Sequence, residues 1–285
     1  MIDLHSHILP GIDDGAPTLD VALDMARHYT HQGVTHVACT PHILPGVYHN
    51  TGPDIRQRVA TLQHHLDEAG IALRLLTGAD NHMVGNFTAS LGNGHLLTLA
   101  DTAFVLVEPP HQVAPARVED LFFALLIAGY TPILTHPERL TWIEQKYPII
   151  ERLAERGVWM QITAGSLRSV FGRRPRYWAE RMLSEGRVHI LASDAHNVTS
   201  RRPDLAEGRE AAASIVGASE AHNLVVTRPS AVLSNMHPKD IPSPGMLHVA
   251  NQRCVQEYAS DGQKTQPVGN VSGGLFGGRL LRIFR

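Results

Sequence analysis

The N-terminal stretch MIDLHSHILPGIDDG (residues 1–15) combines a short apolar segment with two histidines in an H-x-H pattern and two adjacent aspartates. Side chains two residues apart on a strand share one face, so His5 and His7 can bind one metal ion together. A single H-x-H motif is weak support for a metal site, because partly buried histidines often only hydrogen-bond a backbone carbonyl. The prediction therefore depends on the residues at the ends of the other strands in the chain.

Short β-like segments alternate with amphipathic helical patterns along the chain. The predicted strands cover residues 1–4, 34–40, 72–77, 103–107, 132–135, 158–162 and 188–191. The predicted helices cover residues 19–32, closed by Gly33, about 54–69, with Gly70 beyond it, 116–128, 148–156, 177–185 and 204–216. Repeated βα units indicate an α/β fold with a parallel sheet, either closed as a barrel or open and doubly wound. The sequence contains no GxGxxG or GxxxxGK[ST] loop, which disfavours nucleotide-binding versions.

Length and composition suit one large domain followed by a tail. The chain has 285 residues, of which 43% are hydrophobic, and a β/α barrel of roughly 250 residues fits that length. We predict a barrel over residues 1–240. Residues 246–285 are rich in Gly and Pro and lack periodicity, so we expect a flexible tail. The basic, apolar end of this tail, from Arg279, allows at most peripheral contact with an anionic membrane.

Charge and cysteine content exclude several classes of protein. The net charge is −2 and no basic stripe is present, which argues against a nucleic-acid partner. Cys39 and Cys254 are far apart and form no CxxC pair. Since we find neither a signal peptide nor a long apolar span, we expect a cytoplasmic protein.

Metal-competent side chains stand at the carboxyl end of nearly every predicted strand, which is the face where β/α barrels form active sites. These side chains are His5, His7, Asp13, Asp14, His42, Asp80, His82, Glu108, His136, Asp194 and His196. Burying so many carboxylates without cations would be very costly, so the pattern predicts a metal site. About four carboxylates with no lysine at a strand end require two or three divalent cations, whose positive surplus suits a phosphate.

Arginines near the predicted site favour an anionic substrate. Arg139 lies three residues after His136 in HPER, and its guanidinium can bind phosphate oxygens in a bidentate manner. Arg201 and Arg202 come shortly after His196, and either can supply a second phosphate contact. The alternative for these two arginines is an ordinary solvated loop pair.

Four motifs resemble those of the PHP (polymerase and histidinol phosphatase) superfamily: MIDLHSHILPGIDDG, TPH, LTHPERL and SDAHN. Within it, the chain resembles the bacterial manganese-dependent protein-tyrosine phosphatases of capsule and exopolysaccharide biosynthesis, from Met1 to about Val232. The resemblance implies a distorted TIM-like (β/α)7 barrel with up to three metal ions. Manganese is expected first, although mixed imidazole and carboxylate ligands also suit iron, cobalt or zinc.

The resemblance also implies roles for individual residues. The implied metal ligands are His5, His7, Asp14, His42, Asp80, Glu108, His136, Asp194 and His196. At Asp80 many family members carry Glu, which is one methylene longer, so metal spacing there can differ. His136, Arg139 and Asp194 are the expected catalytic residues, and Arg139 with Arg201 or Arg202 is expected to bind phosphate.

The function implied by the resemblance is metal-dependent hydrolysis of phosphotyrosine on a protein. The expected substrate is a bacterial tyrosine kinase that controls polysaccharide synthesis. A tyrosine leaving group has a pKa of about 10 and departs with little protonic help. A cysteine-based mechanism is disfavoured, since neither Cys39 nor Cys254 has an arginine six residues later.

Other functions stay open at this point. A small-molecule phosphatase of the histidinol-phosphate type would use the same metals, whereas an exonuclease is disfavoured because the chain lacks a basic groove. A binuclear amidohydrolase with a carboxylated lysine is disfavoured, since the three lysines lie outside strand ends. A non-catalytic phosphotyrosine-binding regulator is a further alternative. In WMQITAGSLRSVFGRR (residues 159–174), Thr163, Ser166 and Arg168 either line the mouth of the site or shape a turn.

Overall fold

Parallel strands and helices alternate along residues 1–245, the part of the chain that this computed structural model describes. The strands are β1 (Ile2–Ser6), β2 (His36–Cys39), β3 (His42–Ile43), β4 (Arg74–Thr77), β5 (Asp80–His82), β6 (Phe104–Glu108), β7 (Thr131–Thr135), β8 (Trp159–Thr163) and β9 (Ile190–Ala192). The helices are α1 (Leu19–His31), α2 (Gly52–Glu68), α3 (Phe87–Gly92), α4 (Val118–Ile127), α5 (Ile143–Glu155), α6 (Ala164–Leu167), α7 (Arg173–Ser184), α8 (Leu205–Val216), α9 (Ala218–His222) and α10 (Arg228–Leu233). The tail predicted at residues 246–285 lies outside the described residues.

The strands form a distorted barrel of seven strand lines. One sheet has the order β1-β2-β4 and the other the order β3-β5-β6-β7-β8-β9, with every pair parallel. Strand β3 continues the line of β2, and β5 continues that of β4, since the pairs Cys39–Thr77 and His42–Asp80 keep the same offset. A parallel bridge between Ser6 and Ala195 joins the first line to the last. The predicted fold class is confirmed.

Local sequence signals explain how the helices begin and end. The Thr18 side chain accepts a hydrogen bond from Val21 N and caps α1, as predicted. Gly33, just beyond this helix, has a φ of 77°, a conformation that glycine adopts without strain. Helix α5 begins at Ile143, earlier than the predicted residue 148, because one further turn joins it across a kink at Lys146, ahead of Pro148. Within residues 1–245, no helix is both long and apolar enough to cross a bilayer.

The amino-terminal end of the barrel is closed by apolar packing and one buried arginine. Inward-facing side chains of the strands, such as Leu4 and Phe104, pack against Val232 of α10. The fully buried Arg228 pairs with Glu220 at 2.7 Å and donates Nε to the Pro242 carbonyl at 2.8 Å. This packing fills the amino-terminal end and leaves the carboxyl-terminal end of the barrel for polar groups.

His189 lies at this closed end and predicts a pH dependence of stability. Burial, with the positive charge of Arg228 as the second cause, lowers the pKa of His189 to about 3. Nδ1 of His189 accepts a hydrogen bond from Met160 N at 3.2 Å, and its ring stacks on Trp159. Between about pH 6.5 and about pH 3 the unfolded chain binds this proton more readily than the native protein does. Stability is therefore expected to fall with pH in that window, by up to about 1.4 kcal/mol per pH unit.

The His189→Asn variant isolates this effect, because its amide oxygen can accept the hydrogen bond from Met160 but cannot take up a proton. Urea unfolding of both proteins in chelator, from about pH 7 to about pH 4, measures the difference. We expect the wild-type free energy of unfolding to fall more steeply than that of the variant. Equal pH dependence of the unfolding free energy in both proteins would show that folding does not lower the pKa of His189.

Candidate metal centre

The structure brings all nine predicted ligand side chains together at the carboxyl-terminal rim of the barrel. Four overlapping groups each place one ligand atom per residue within 4.8 Å of the others. The groups are His7–Asp14–His42–His196, His5–His7–Asp80, His42–His82–Glu108 and Glu108–His111–His136. Asp194 joins them, since its Oδ1 lies 3.5 Å from His5 Nε2 and 3.4 Å from His7 Nε2.

The two histidines of β1 are held by partners on their outer nitrogens. Nδ1 of His5 lies 2.8 Å from Gln161 Oε1, and Nδ1 of His7 lies 2.7 Å from Asp13 Oδ2. Both acceptors favour a proton on Nδ1, which leaves the two Nε2 atoms facing each other at 3.2 Å. Two neutral imidazoles would then direct lone pairs at one another, so a proton or a cation has to lie between them.

The pKa values of His5 and His7 are shifted in opposite directions. Burial lowers the pKa of His5 to about 4. For His7 burial acts in the same direction, but the facing carboxylates, with Asp13 first, raise its pKa to about 10. A cation that bound here would have to displace a proton from His7.

Asp80 provides the clearest sign that cations belong in the cluster. Its side chain is fully buried, and neither carboxylate oxygen has a hydrogen-bond partner. The nearest ring nitrogens, on His5 and His42, lie 3.5 Å from its Oδ2. Burial, together with the charge of Glu108, raises the pKa of Asp80 well above its usual range. A buried carboxylate with two free oxygens is costly unless a cation binds it.

Glu108 ends β6 at the centre of the rim. Its Oε2 lies 3.2 Å from His42 Nδ1 and 2.5 Å from His82 Nε2. Its Oε1 lies 3.0 Å from His111 Nε2 and 3.6 Å from His136 Nε2. Burial opposes ionisation, but these imidazoles hold the pKa of Glu108 far below its usual range. Four ring nitrogens thus surround this carboxylate, so Glu108 would be available as a ligand to cations on either side of it.

The outer edge of the centre is open to solvent at Asp14. Its carboxylate Oδ1 lies 3.5 Å from His42 Nε2 and 3.4 Å from His196 Nε2. The side chain of Asp14 is 44% exposed, whereas that of His196 is 2% exposed. A substrate can therefore approach from this side.

Two arginines meet at Asp194, and one of them, Arg201, also lies 3.7 Å from Asp14 at this opening. Arg139 Nη1 lies 2.5 Å from Asp194 Oδ2, and Arg201 Nη2 lies 2.7 Å from the same oxygen. Both guanidiniums lie over the ring of Phe171, at 4.3 Å and 6.0 Å from its centroid. Arg202 instead turns away and pairs with Glu207 at 2.8 Å. Its position gives no support to the phosphate contact predicted for Arg202.

The donor set fits divalent cations. Five carboxylates, those of Asp13, Asp14, Asp80, Glu108 and Asp194, face two guanidiniums, those of Arg139 and Arg201. Even with His7 protonated, these carboxylates outnumber the positive charges that face them. Mixed imidazole and carboxylate ligands suit first-row transition metals such as manganese, iron, cobalt and zinc. The charge and the donors thus both call for more than one cation.

Several residues around the centre are absent from the predicted ligand set. Asp13, His82, His111, Gln161 and Phe171 all contact its members. Asp13 stands next to Asp14 in the first motif and His82 lies two residues after Asp80, and both belong to the metal-competent side chains at strand ends, so proximity in sequence is an available signal. His111 lies three residues beyond Glu108 in a loop, and Phe171 lies in a stretch without periodicity, so the sequence offers no signal for either.

Thr163 and Ser166, in the segment after β8, hold a neighbouring loop in position. The buried Glu138 carboxylate accepts hydrogen bonds from Thr163 N at 2.9 Å and from Ser166 Oγ at 2.8 Å. Arg168 points elsewhere and pairs with Asp204 at 3.0 Å. The sequence leaves open whether these residues line the mouth of the site or shape a turn. The structure supports the turn, whose hydrogen bonds to Glu138 anchor the segment that carries Arg139.

Comparison with known proteins places the chain in one family. Residues 1–234 match the family described as capsular polysaccharide synthesis, CpsB/CapC. YwqE of Bacillus subtilis, named a tyrosine-protein phosphatase, is 37% identical over 201 residues, covering 70% of this chain and 79% of YwqE. CpsB of Streptococcus agalactiae serotype V, also named a tyrosine-protein phosphatase, is 27% identical over 244 residues, covering 82% of this chain and 99% of CpsB.

A solved structure agrees with these relatives. It belongs to the crystal structures of YwqE from Bacillus subtilis and CpsB from Streptococcus pneumoniae, described as unique metal-dependent tyrosine phosphatases. The TM-score is 0.80 at 33% identity, and the match covers 87% of this chain and 100% of that chain. The resemblance to capsule tyrosine phosphatases is confirmed. The chain belongs to the CpsB/CapC family of capsular polysaccharide synthesis proteins.

Proposed function

We propose that this protein is a metal-dependent phosphatase that hydrolyses phosphotyrosine on a protein substrate. The observation that carries the proposal is the convergence of imidazoles and carboxylates around Asp80, whose two buried oxygens lack hydrogen-bond partners. Relatives named tyrosine-protein phosphatases support the reaction class. We assign the cations, two or three in number and manganese first, to these ligands: His5, His7, Asp14, His42, Asp80, Glu108, His136, Asp194 and His196.

The proposed chemistry divides between the cations and the protein. Bound divalent cations supply a lowered pKa for water and neutralise charge on the phosphoryl group. Arg201 lies beside Asp14 at the open edge and Arg139 shares its partner Asp194, so both guanidiniums can bind the phosphoryl oxygens. Asp194 holds both guanidiniums in place through one oxygen. The phenolate of tyrosine has a pKa of about 10, so the chain needs no strong general acid for its departure.

The proposed substrate is a tyrosine-phosphorylated kinase of polysaccharide synthesis. The capsular family of the chain and the names of its relatives support this choice. We place the reaction in the cytoplasm, where Cys39, a buried free thiol, stays reduced.

Substrate preference tests the proposal. Purified protein with Mn²⁺ is given a phosphotyrosine peptide, the matching phosphoserine peptide and histidinol phosphate, and phosphate release is measured over time. We expect the highest kcat/KM on the phosphotyrosine peptide. A higher kcat/KM on histidinol phosphate would identify a small-molecule phosphatase instead, and binding without release of phosphate would identify a regulator.

Replacing Arg139 with lysine is expected to lower kcat/KM for the phosphotyrosine peptide by about 10²-fold, because lysine lacks the planar fork that binds two phosphate oxygens. The matched control is Arg202→Lys, whose side chain pairs with Glu207 outside the centre. We expect this control to keep wild-type kcat/KM. Equal losses in both variants would remove Arg139 from the proposed phosphate contacts.

A further inference from the structure

We propose that His82 and His111 are two further metal ligands, one on each side of Glu108. The inference rests on the metal centre of the proposed function and extends its ligand set. It predicts an outer flank of the centre that is richer in imidazole than the nine assigned ligands provide.

His82 repeats an arrangement found elsewhere in the centre. The sequence Asp80-Asn81-His82 on β5 has the same D-x-H spacing as Asp194-Ala195-His196 after β9. Residues two apart on a strand share a face, and His82 Nε2 indeed lies 2.5 Å from Glu108 Oε2. The intervening Asn81 faces away, where its amide donates to the carbonyls of Ala79, Leu97 and Leu106. Strand β5 thus delivers two donors to the centre, as β1 does.

His111 reaches the centre from the loop after β6. Its Nε2 lies 3.0 Å from Glu108 Oε1, and its ring centroid lies 4.9 Å from that of His136. These three residues place their ligand atoms within 4.8 Å of one another, and so do His42, His82 and Glu108. Each flank of Glu108 therefore has a complete group of three donors.

Hydrogen bonding to Glu108 does not account for this arrangement. His111 Nε2 and Glu108 Oε2 are both buried, and neither has a hydrogen-bond partner despite the short contacts. His82 Nε2 also lies 3.1 Å from His42 Nδ1, which brings two ring nitrogens and one carboxylate oxygen to the same small volume. Ring nitrogens and a carboxylate oxygen that converge on one point are typical of ligands around a cation.

The short side chain of Asp80 leaves room for additional ligands near His42 and His136. Its nearest carboxylate oxygen stays 3.5 Å from His42 Nδ1 and 3.9 Å from His136 Nε2. His82 Nε2 lies closer to His42 Nδ1, at 3.1 Å, and both His82 and His111 have a ring nitrogen within 3.0 Å of a Glu108 oxygen. We infer that the two imidazoles complete coordination there.

The test measures cation binding by the full-length chain. Co²⁺ is added to chelator-treated wild type, His82→Phe, His111→Phe and, as a matched control, His64→Phe on the exposed face of α2. A competing chromophoric chelator gives the dissociation constant, and the visible d–d absorption of Co²⁺ reports its coordination. We expect each of the first two variants to weaken binding of at least one Co²⁺ by about 10–100-fold or more and to change the absorption, with no change for the control.

A cavity variant separates ligation from support. Imidazole added to His111→Gly is expected to restore Co²⁺ affinity and the wild-type spectrum. Unchanged affinity and spectrum in both phenylalanine variants would overturn the inference, as would weakened binding with an unchanged spectrum and no rescue. Wild type that binds no Co²⁺ would overturn the metal centre itself, an outcome distinct from either of these.

Discussion

Asp194→Asn is expected to lower kcat/KM for phosphotyrosine hydrolysis by about 10³-fold or more. One carboxylate oxygen of Asp194 faces the imidazoles of β1, and the other binds two guanidiniums. Burial opposes ionisation of Asp194, but the basic side chains around it, with Arg201 first, hold its pKa well below the usual range. Asparagine keeps the shape of the side chain and removes its charge, so a cation and both arginines lose an anionic partner at once.

The backbone dictates the choice of this substitution. Asp194 has a φ of 52°, a left-handed conformation that asparagine tolerates better than alanine does. The matched control is Asp101→Asn, since Asp101 also has a positive φ, of 60°, and pairs with Arg56 on an exposed surface. Phosphate release and metal content are measured for both. If Asp194→Asn keeps wild-type kcat/KM and full metal content, Asp194 is neither a metal ligand nor a catalytic residue.

His136→Asn is expected to reduce metal content and to lower kcat by about 10²- to 10³-fold while the protein stays folded. His136 is 2% exposed, and its Nε2 lies 3.6 Å from Glu108 Oε1. Burial, helped by the charge of Arg139, holds the pKa of His136 well below its usual value. Its ring therefore stays neutral and keeps a lone pair free for a cation.

Asparagine again suits the backbone, because His136 has a φ of 32°. Circular dichroism and a thermal melt in chelator establish that the variant is folded, and His95→Asn on the exposed surface serves as control. Metal content is then counted by elemental analysis. A folded His136→Asn with unaltered metal content and turnover would show that His136 is no ligand.

The ends of the strands are the most predictable part of this protein. Apolar segments such as residues 103–107 identify a buried strand without reference to its neighbours, and the polar residue after each segment marks its carboxyl end. Parallel pairing then brings those ends to one rim, which is why the nine predicted ligands converge. Sequence alone leaves open whether the sheet closes, because that depends on the pairing of Ser6 with Ala195, which are remote in sequence.

Short strands and loop residues are beyond the reach of sequence patterns. Strand β5 has three residues, too few for alternation to show, so the sequence marks His82 as a metal-competent side chain but does not indicate that it faces the centre beside Asp80. Arg201 and Arg202 are adjacent and chemically identical, and only the fold of their loop aims one at Asp194 and the other at Glu207. His111 depends on a loop whose path no periodicity records.

Metal content combined with phosphotyrosine hydrolysis tests the central claim most directly. The full-length protein is dialysed against chelator, titrated with Mn²⁺, and assayed for bound metal and for phosphate release at each step. We predict that activity is absent in chelator and rises with the second or third bound equivalent. Full hydrolysis by protein shown to contain no metal would contradict the claim that these imidazoles and carboxylates act through shared cations.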